Sequence, residues 1–142
     1  MRRRHGDRCD HRPRCLGRSV DAALPILRGI DSGELPEAVV LDYVLAETLN
    51  GLTTRAGHDA AVDFLNRIEE NARFHVDTLT ADAFTTGKAL FRQQSTFSLV
   101  DACIVAYMQT EGLGYLYAFD DDFDAADDVY RLDTATDPYN PR

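Results

Sequence analysis

A chain of 142 residues, 44% hydrophobic and 27% charged, is sized and composed for one folded domain and not for a disordered segment. No apolar run approaches the roughly 18–20 residues of a membrane span, and the arginine-rich start has no apolar stretch behind it, so neither a spanning helix nor a secretory leader is expected and the chain reads as cytoplasmic. The net charge of −9 argues against unaided binding of a polyanion, although concentrated salt would screen that repulsion and bound divalent cations would invert it locally.

The charge is unevenly placed. Arg2, Arg3, Arg4, Arg8, Arg12, Arg14 and Arg18 face only Asp7 and Asp10 in residues 1–20, which leaves +5 there and −14 on the remainder. Lys88 is the one lysine. An acidic, lysine-poor remainder suits solubility in concentrated salt and points to an extremely halophilic source. Cys9, Cys15 and Cys103 form no disulfide framework, and Cys103, among apolar helix neighbours, reads as a small core residue.

Residues 1–20 contain no strand-like run. From Asp21 the pattern becomes regular. A helix over Asp21–Ile30 ends at Asp31-Ser32-Gly33, and a buried strand, Ala38–Leu41, follows Pro36. Helices are predicted over Tyr43–Thr53 and His58–Asn71, then a strand over Phe74–Leu79. Thr80 caps a helix running to about Arg92. Next come a helix over Leu99–Thr110, a tight Glu111-Gly112-Leu113-Gly114 connection and a strand over Tyr115–Phe119. A strand over Val129–Leu132 precedes a polar tail. Short apolar strands alternating with helices imply a parallel sheet covered on both faces. The expected division is an atypical basic segment over 1–20, an α/β domain over 21–133 and a tail over 134–142.

The stretch from Ser98 to Phe123 carries the chemistry. Asp101 shares a helix face with Ile104, Val105 and Met108, where a carboxylate is costly unless paired or metal-bound. It is equally readable as the N3 acid of a turn capped by Ser98. Asp120, Asp121, Asp122 and Asp124 form the densest acidic cluster, readable as a solvated loop or as a ligand set. The flanking Phe119 and Phe123 argue that the loop is held against the body, and alternation sends Asp120 and Asp122 one way and Asp121 the other. Carboxylates at the carboxyl end of parallel strands lie where such sheets bind ligands, and Asp42 follows another strand end. Hard oxygen donors select Mg²⁺ or Mn²⁺, and such ions serve phosphodiester hydrolysis. Glu47 lies off the Leu45, Leu49, Leu52 stripe and by spacing alone is a solvated helix residue. His5, Cys9, His11 and Cys15 have zinc-binding types at a spacing that matches no common structural site, and His58 and His75 look incidental.

Together, L-D-Y-V-L-A-E-T-L-N-G-L, S-L-V-D-A-C-I-V-A-Y-M and Y-L-Y-A-F-D-D-D-F-D resemble the PIN-domain family, specifically its VapC-type toxin nucleases, over roughly Asp21 to Leu132. The resemblance implies a three-layer α/β/α fold with a four- or five-stranded parallel sheet. It also implies Mg²⁺- or Mn²⁺-dependent RNA cleavage by a metal-activated water, a cognate antitoxin and a homodimer. By motif, Glu47 corresponds to the second acid, Asp101 to the third and Asp120 to the fourth, with Asp122 as an accessory ligand and Ser98 as the small polar residue before the third acid. The first acid, which in the family ends an apolar strand, has no counterpart in residues 1–20, where Asp7 and Asp10 follow no such strand; a frameshift or misassigned start would explain the segment. The alternatives are a catalytically inactive PIN-like module acting by protein interaction, and a nucleic-acid-binding protein using its basic N-terminal arm.

Overall fold

The computed structural model describes residues 23–140. Helix α1 occupies residues 23–32 of that range and buries Ile26 and Ile30. Its end folds back on itself, with the Leu35 N–H donating to the Gly29 carbonyl at 2.9 Å. Strand β1 (Ala38–Leu41) leads directly into α2 (Asp42–Ala56), and Gly57, at φ 96°, makes the break to α3 (His58–Glu70). Strand β2 (Phe74–Asp77) follows, then α4 (Ala81–Gln93), whose N-cap Thr80 accepts from the Ala83 N–H. Helix α5 (Leu99–Glu111) ends where Gly112 adopts φ 70° and the Leu113 N–H reaches back to the Met108 carbonyl at 2.9 Å. Strand β3 (Tyr115–Tyr117), a 3₁₀ turn (Asp121–Ala125) and strand β4 (Tyr130–Leu132) complete the chain.

The strands pair in parallel, as expected for βαβ connections: β1 with β2 from Ala38↔Phe74 to Leu41↔Asp77, and β3 with β4 from Tyr115↔Tyr130 to Tyr117↔Leu132. Among the described residues they form two ladders of two strands and not one continuous sheet, because β1 and β3 exchange no ladder hydrogen bonds. A shared core still joins the ladders. Ile26, Ile30 and Leu35 pack on Ala38 and Phe74 from one ladder and on Tyr117 from the other. The expectation of strands covered on both faces holds only in part, since Val39 and Val76 remain 44% and 43% exposed.

The second core lies under α5. Phe97, Ala102, Val105 and Met108 meet Phe123 and Val129, with Leu116 and Ala118 alongside. Helices α4 and α5 pack closely where Gly87 lies against Cys103, its missing side chain admitting the neighbouring helix. Cys103 is therefore the core residue the sequence suggested. Several predicted boundaries shift. The predicted strand Phe74–Leu79 stops at Asp77, where the Asp77 carboxylate accepts the Thr78 N–H at 2.9 Å and turns the chain toward Thr80. The predicted strand over Tyr115–Phe119 closes at Tyr117, although the Ala118 N–H still donates to the Leu132 carbonyl at 3.0 Å. The stretch in which a first strand was sought lies outside the described residues, as do Asp7, Asp10 and the His5, Cys9, His11, Cys15 set.

Candidate metal centre

Two elements converge on the acidic site. Ser98 caps α5, its Oγ accepting the Asp101 N–H at 3.1 Å, which fixes Asp101 in the first helical turn. Asp120 follows β3, and its Oδ1 accepts the Asp122 N–H at 2.9 Å, which bends the chain into the 3₁₀ turn. That turn draws Asp122 inward to 6% exposure and leaves Asp121 outside. The sequence grouped Asp120 with Asp122 and apart from Asp121, on the assumption of an extended strand; the grouping holds, and a capped 3₁₀ turn is what produces it.

One carboxylate oxygen from each of Asp101, Asp120 and Asp122 lies within 4.8 Å of the others. Oxygens that share one Mg²⁺ at about 2.1 Å lie at most about 4.2 Å apart, so these three could hold one ion after small side-chain adjustments. An all-carboxylate donor set suits a hard divalent cation. The electrostatics agree. Burial, followed by the charge of Asp120, raises the Asp101 carboxyl from 3.8 to about 6; hydrogen bonds from Ser98 oppose the rise and the charge of Asp122 adds to it. Three anions in a partly dry pocket repel one another, and a cation offsets that repulsion. Asp101 is the acid of a turn capped by Ser98, and its carboxylate also lies beside those of Asp120 and Asp122.

The other acids have different surroundings. Glu47 lies exposed on α2 and is not in the group of three. Asp42 is occupied by the backbone, accepting the Tyr43 N–H at 2.8 Å and the Leu79 N–H at 3.4 Å. Asp77 accepts the Tyr107 hydroxyl at 2.5 Å. Asp124 pairs in two-pronged fashion with Arg131, at 3.0 and 3.1 Å. His75 sits 2.6 Å from Glu37 and His58 is exposed, so neither belongs to the site. Arg131 was missed in the sequence. It also reaches Asp133 and the Ala118 carbonyl, and so ties β4 to the loop that carries the acidic turn. The only available signal was a lone arginine between Tyr130 and Leu132 beside a run of aspartates.

The family described as PIN domain matches residues 18–129. The chain is 34% identical over 113 residues to the 23S rRNA-specific endonuclease VapC20 of Mycobacterium tuberculosis, found in two strains, a match spanning 78% of this chain and 86% of that protein. The crystal structure of M. tuberculosis VapC20, described as a toxin that cleaves the sarcin-ricin loop, is similar with a TM-score of 0.63 at 30% identity, covering 75% of this chain and 83% of that one. The matched stretch holds both the α5 and the post-β3 carboxylates and combines helices with parallel strands, so this chain belongs to the PIN-domain family and is a relative of the VapC toxin endonucleases.

Proposed function

We propose that this chain is a divalent-metal-dependent endoribonuclease, a PIN-domain toxin that hydrolyses RNA phosphodiester bonds. The observation that carries the reading is the convergence of Asp101, Asp120 and Asp122 oxygens within 4.8 Å, from α5 and from the turn that follows the next strand. Kinship with an rRNA-cleaving endonuclease supports RNA as the substrate class, and a ribosomal RNA hairpin is the first substrate to try.

In this reading Asp101 and Asp120 would be the principal ligands, with Asp122 supporting them from its buried position and Glu47 on α2 as the fourth carboxylate. When bound, Mg²⁺ or Mn²⁺ supplies Lewis acidity toward the phosphodiester and lowers the pKa of an attacking water. The protein's own contribution is positional. The Ser98 cap and the Asp120 turn hold the oxygens in place before substrate arrives, so little reorganisation is needed during reaction. In-line attack by water leaves a 5′-phosphate and a 3′-hydroxyl. With a cation held there, the local sign of an otherwise acidic surface would be reversed and a polyanion could approach.

A cognate antitoxin, a homodimeric state, a cytoplasmic setting and a halophilic source belong to the same proposal, with residues 21–133 as the working domain. Among the described residues no helix is long and apolar enough to cross a membrane. The acidic, lysine-poor composition supports the high-salt setting.

The test is Asp101→Asn. This isosteric change removes the charge and leaves the Ser98 cap in place. RNA cleavage in Mn²⁺ should be lost while circular dichroism and thermal unfolding stay close to wild type. Cleavage retained in that variant overturns the assignment.

A further inference from the structure

Tyr43 is the second residue of α2, immediately beyond β1. Its hydroxyl donates to the main-chain carbonyl of Val100 at 2.9 Å, a contact across 57 residues of sequence. Val100 directly precedes Asp101 in the first turn of α5. A carbonyl at that position already accepts a hydrogen bond within its own helix, so the tyrosine takes the second lone pair. The contact is therefore not needed to satisfy a stranded acceptor. It locates one helix against another, at the residue next to a carboxylate of the site.

Glu47 lies four residues beyond Tyr43 and so shares its face of α2. The phenol stands among negative groups from both helices. Burial first, then Cys103, Glu47, Asp101 and Asp42, hold its proton well above the ordinary tyrosine range. Facing a carbonyl, which can only accept, the hydroxyl is the donor. It is also the point at which Glu47 from α2 and Asp101 from α5 are both felt, although Glu47 lies outside the group of three carboxylates.

We propose that Tyr43 is a positioning residue for the carboxylate site: through the Val100 carbonyl it registers the first turn of α5 against α2, and so sets the separation between Glu47 and the Asp101 cluster. This rests on the reading above, in which Glu47 and Asp101 serve one ion. Tyr43 itself touches neither ion nor substrate in this scheme.

Tyr43→Phe keeps the ring and removes the hydroxyl. Mn²⁺ affinity by isothermal titration calorimetry should fall about tenfold, the lower end of what loss of a ligand-orienting partner does. In RNA cleavage kcat should fall while KM for the RNA stays near wild type, since substrate contacts are untouched. Glu47→Gln should weaken Mn²⁺ binding by a similar factor, and the Tyr43→Phe/Glu47→Gln double variant should lose little more than either single one. A purely structural tyrosine would lower the unfolding midpoint but leave the Mn²⁺ affinity and kcat unchanged well below that midpoint; that result overturns the proposal. Fully additive losses in the double variant overturn the link to Glu47. Asp101→Asn serves as the control. If it abolishes Mn²⁺ binding while Tyr43→Phe binds as wild type, only the positioning role fails; if Asp101→Asn binds Mn²⁺ normally, the site itself has been misread.

Discussion

Ser98 and Asp101 are joined by a 3.1 Å hydrogen bond from the Asp101 N–H to the Ser98 hydroxyl, so the residue that starts α5 also anchors the peptide carrying a site carboxylate. Stability and chemistry meet in that bond. Ser98→Ala should lower stability by about 1 kcal/mol, the usual worth of an N-cap hydroxyl, as read from the denaturant midpoint. It should also weaken Mn²⁺ binding at pH 6, because the Ser98 hydrogen bonds favour the ionised form of Asp101.

Metal binding should depend on pH through Asp101. Its carboxyl titrates at about 6 in the folded chain against 3.8 ordinarily, chiefly because it is buried and secondarily because Asp120 is near. A raised pKa means that the folded state favours the protonated form. The metal-free protein therefore keeps this contribution to stability below about pH 4 and loses it as pH rises through about 6. A cation requires the ionised form and reverses the trend. The rise in unfolding midpoint produced by Mn²⁺ should be small at pH 5 and reach its plateau above pH 7. A shift independent of pH between those values would mean that Asp101 is not a ligand.

The acidic turn and its cap hold four aspartates, and they should not behave alike. Asp124 is exposed and engaged by Arg131, whereas Asp120 and Asp122 share the site with Asp101. Asp124→Asn should keep the Mn²⁺ affinity of the wild type and lose at most about 1 kcal/mol of stability, as exposed ion pairs do. Asp120→Asn should bind Mn²⁺ at least tenfold more weakly, in line with the loss of a direct ligand and not merely of its outer partner. Calorimetric titration of the two variants side by side makes the comparison.

Gly87 is required by packing. A Cβ there would lie 2.6 Å from the Cys103 Sγ and 3.0 Å from the Cys103 Cα. Because the second of these atoms is backbone, relief requires α4 and α5 to separate. Gly87→Ala should destabilise by about 1–3 kcal/mol from overpacking, which outweighs the gain of about 1 kcal/mol in helix propensity. Adding Cys103→Ala should recover only part of the loss, because the backbone contact persists. Chemical denaturation of the single and double variants measures both effects.

Much of this site was legible in the sequence because its signals are local. Ser98 three residues before Asp101 is a capping spacing, and a polar acid on the face of Val105 and Met108 stands out against an apolar background. The aspartates after β3 announce themselves by density. What the residues alone did not yield was the 3₁₀ turn at Asp121–Ala125, since a hydrogen bond from the Asp122 N–H back to Asp120 overrides simple alternation. Glu47 was reached through family resemblance, because an exposed glutamate on an amphipathic helix carries no spacing signal of its own. Arg131 and Tyr43 stayed hidden for a different reason. Their partners, Asp124 and Val100, are set by how strands and helices come together, which periodicity does not encode. The splitting of the strands into two ladders is likewise a property of pairing, and Ala38–Leu41 reads the same whether its outer edge is paired or open.

In the proposed function, Asp101, Asp120 and Asp122 hold a divalent cation used to cut RNA. The most direct measurement incubates the purified chain with a labelled ribosomal RNA hairpin in Mn²⁺, and in parallel with excess chelator, at high and moderate salt. Cleavage at discrete positions with 5′-phosphate ends is expected in Mn²⁺, none in chelator, and none in Asp101→Asn. Intact RNA under every Mn²⁺ condition, from a folded protein, would contradict it.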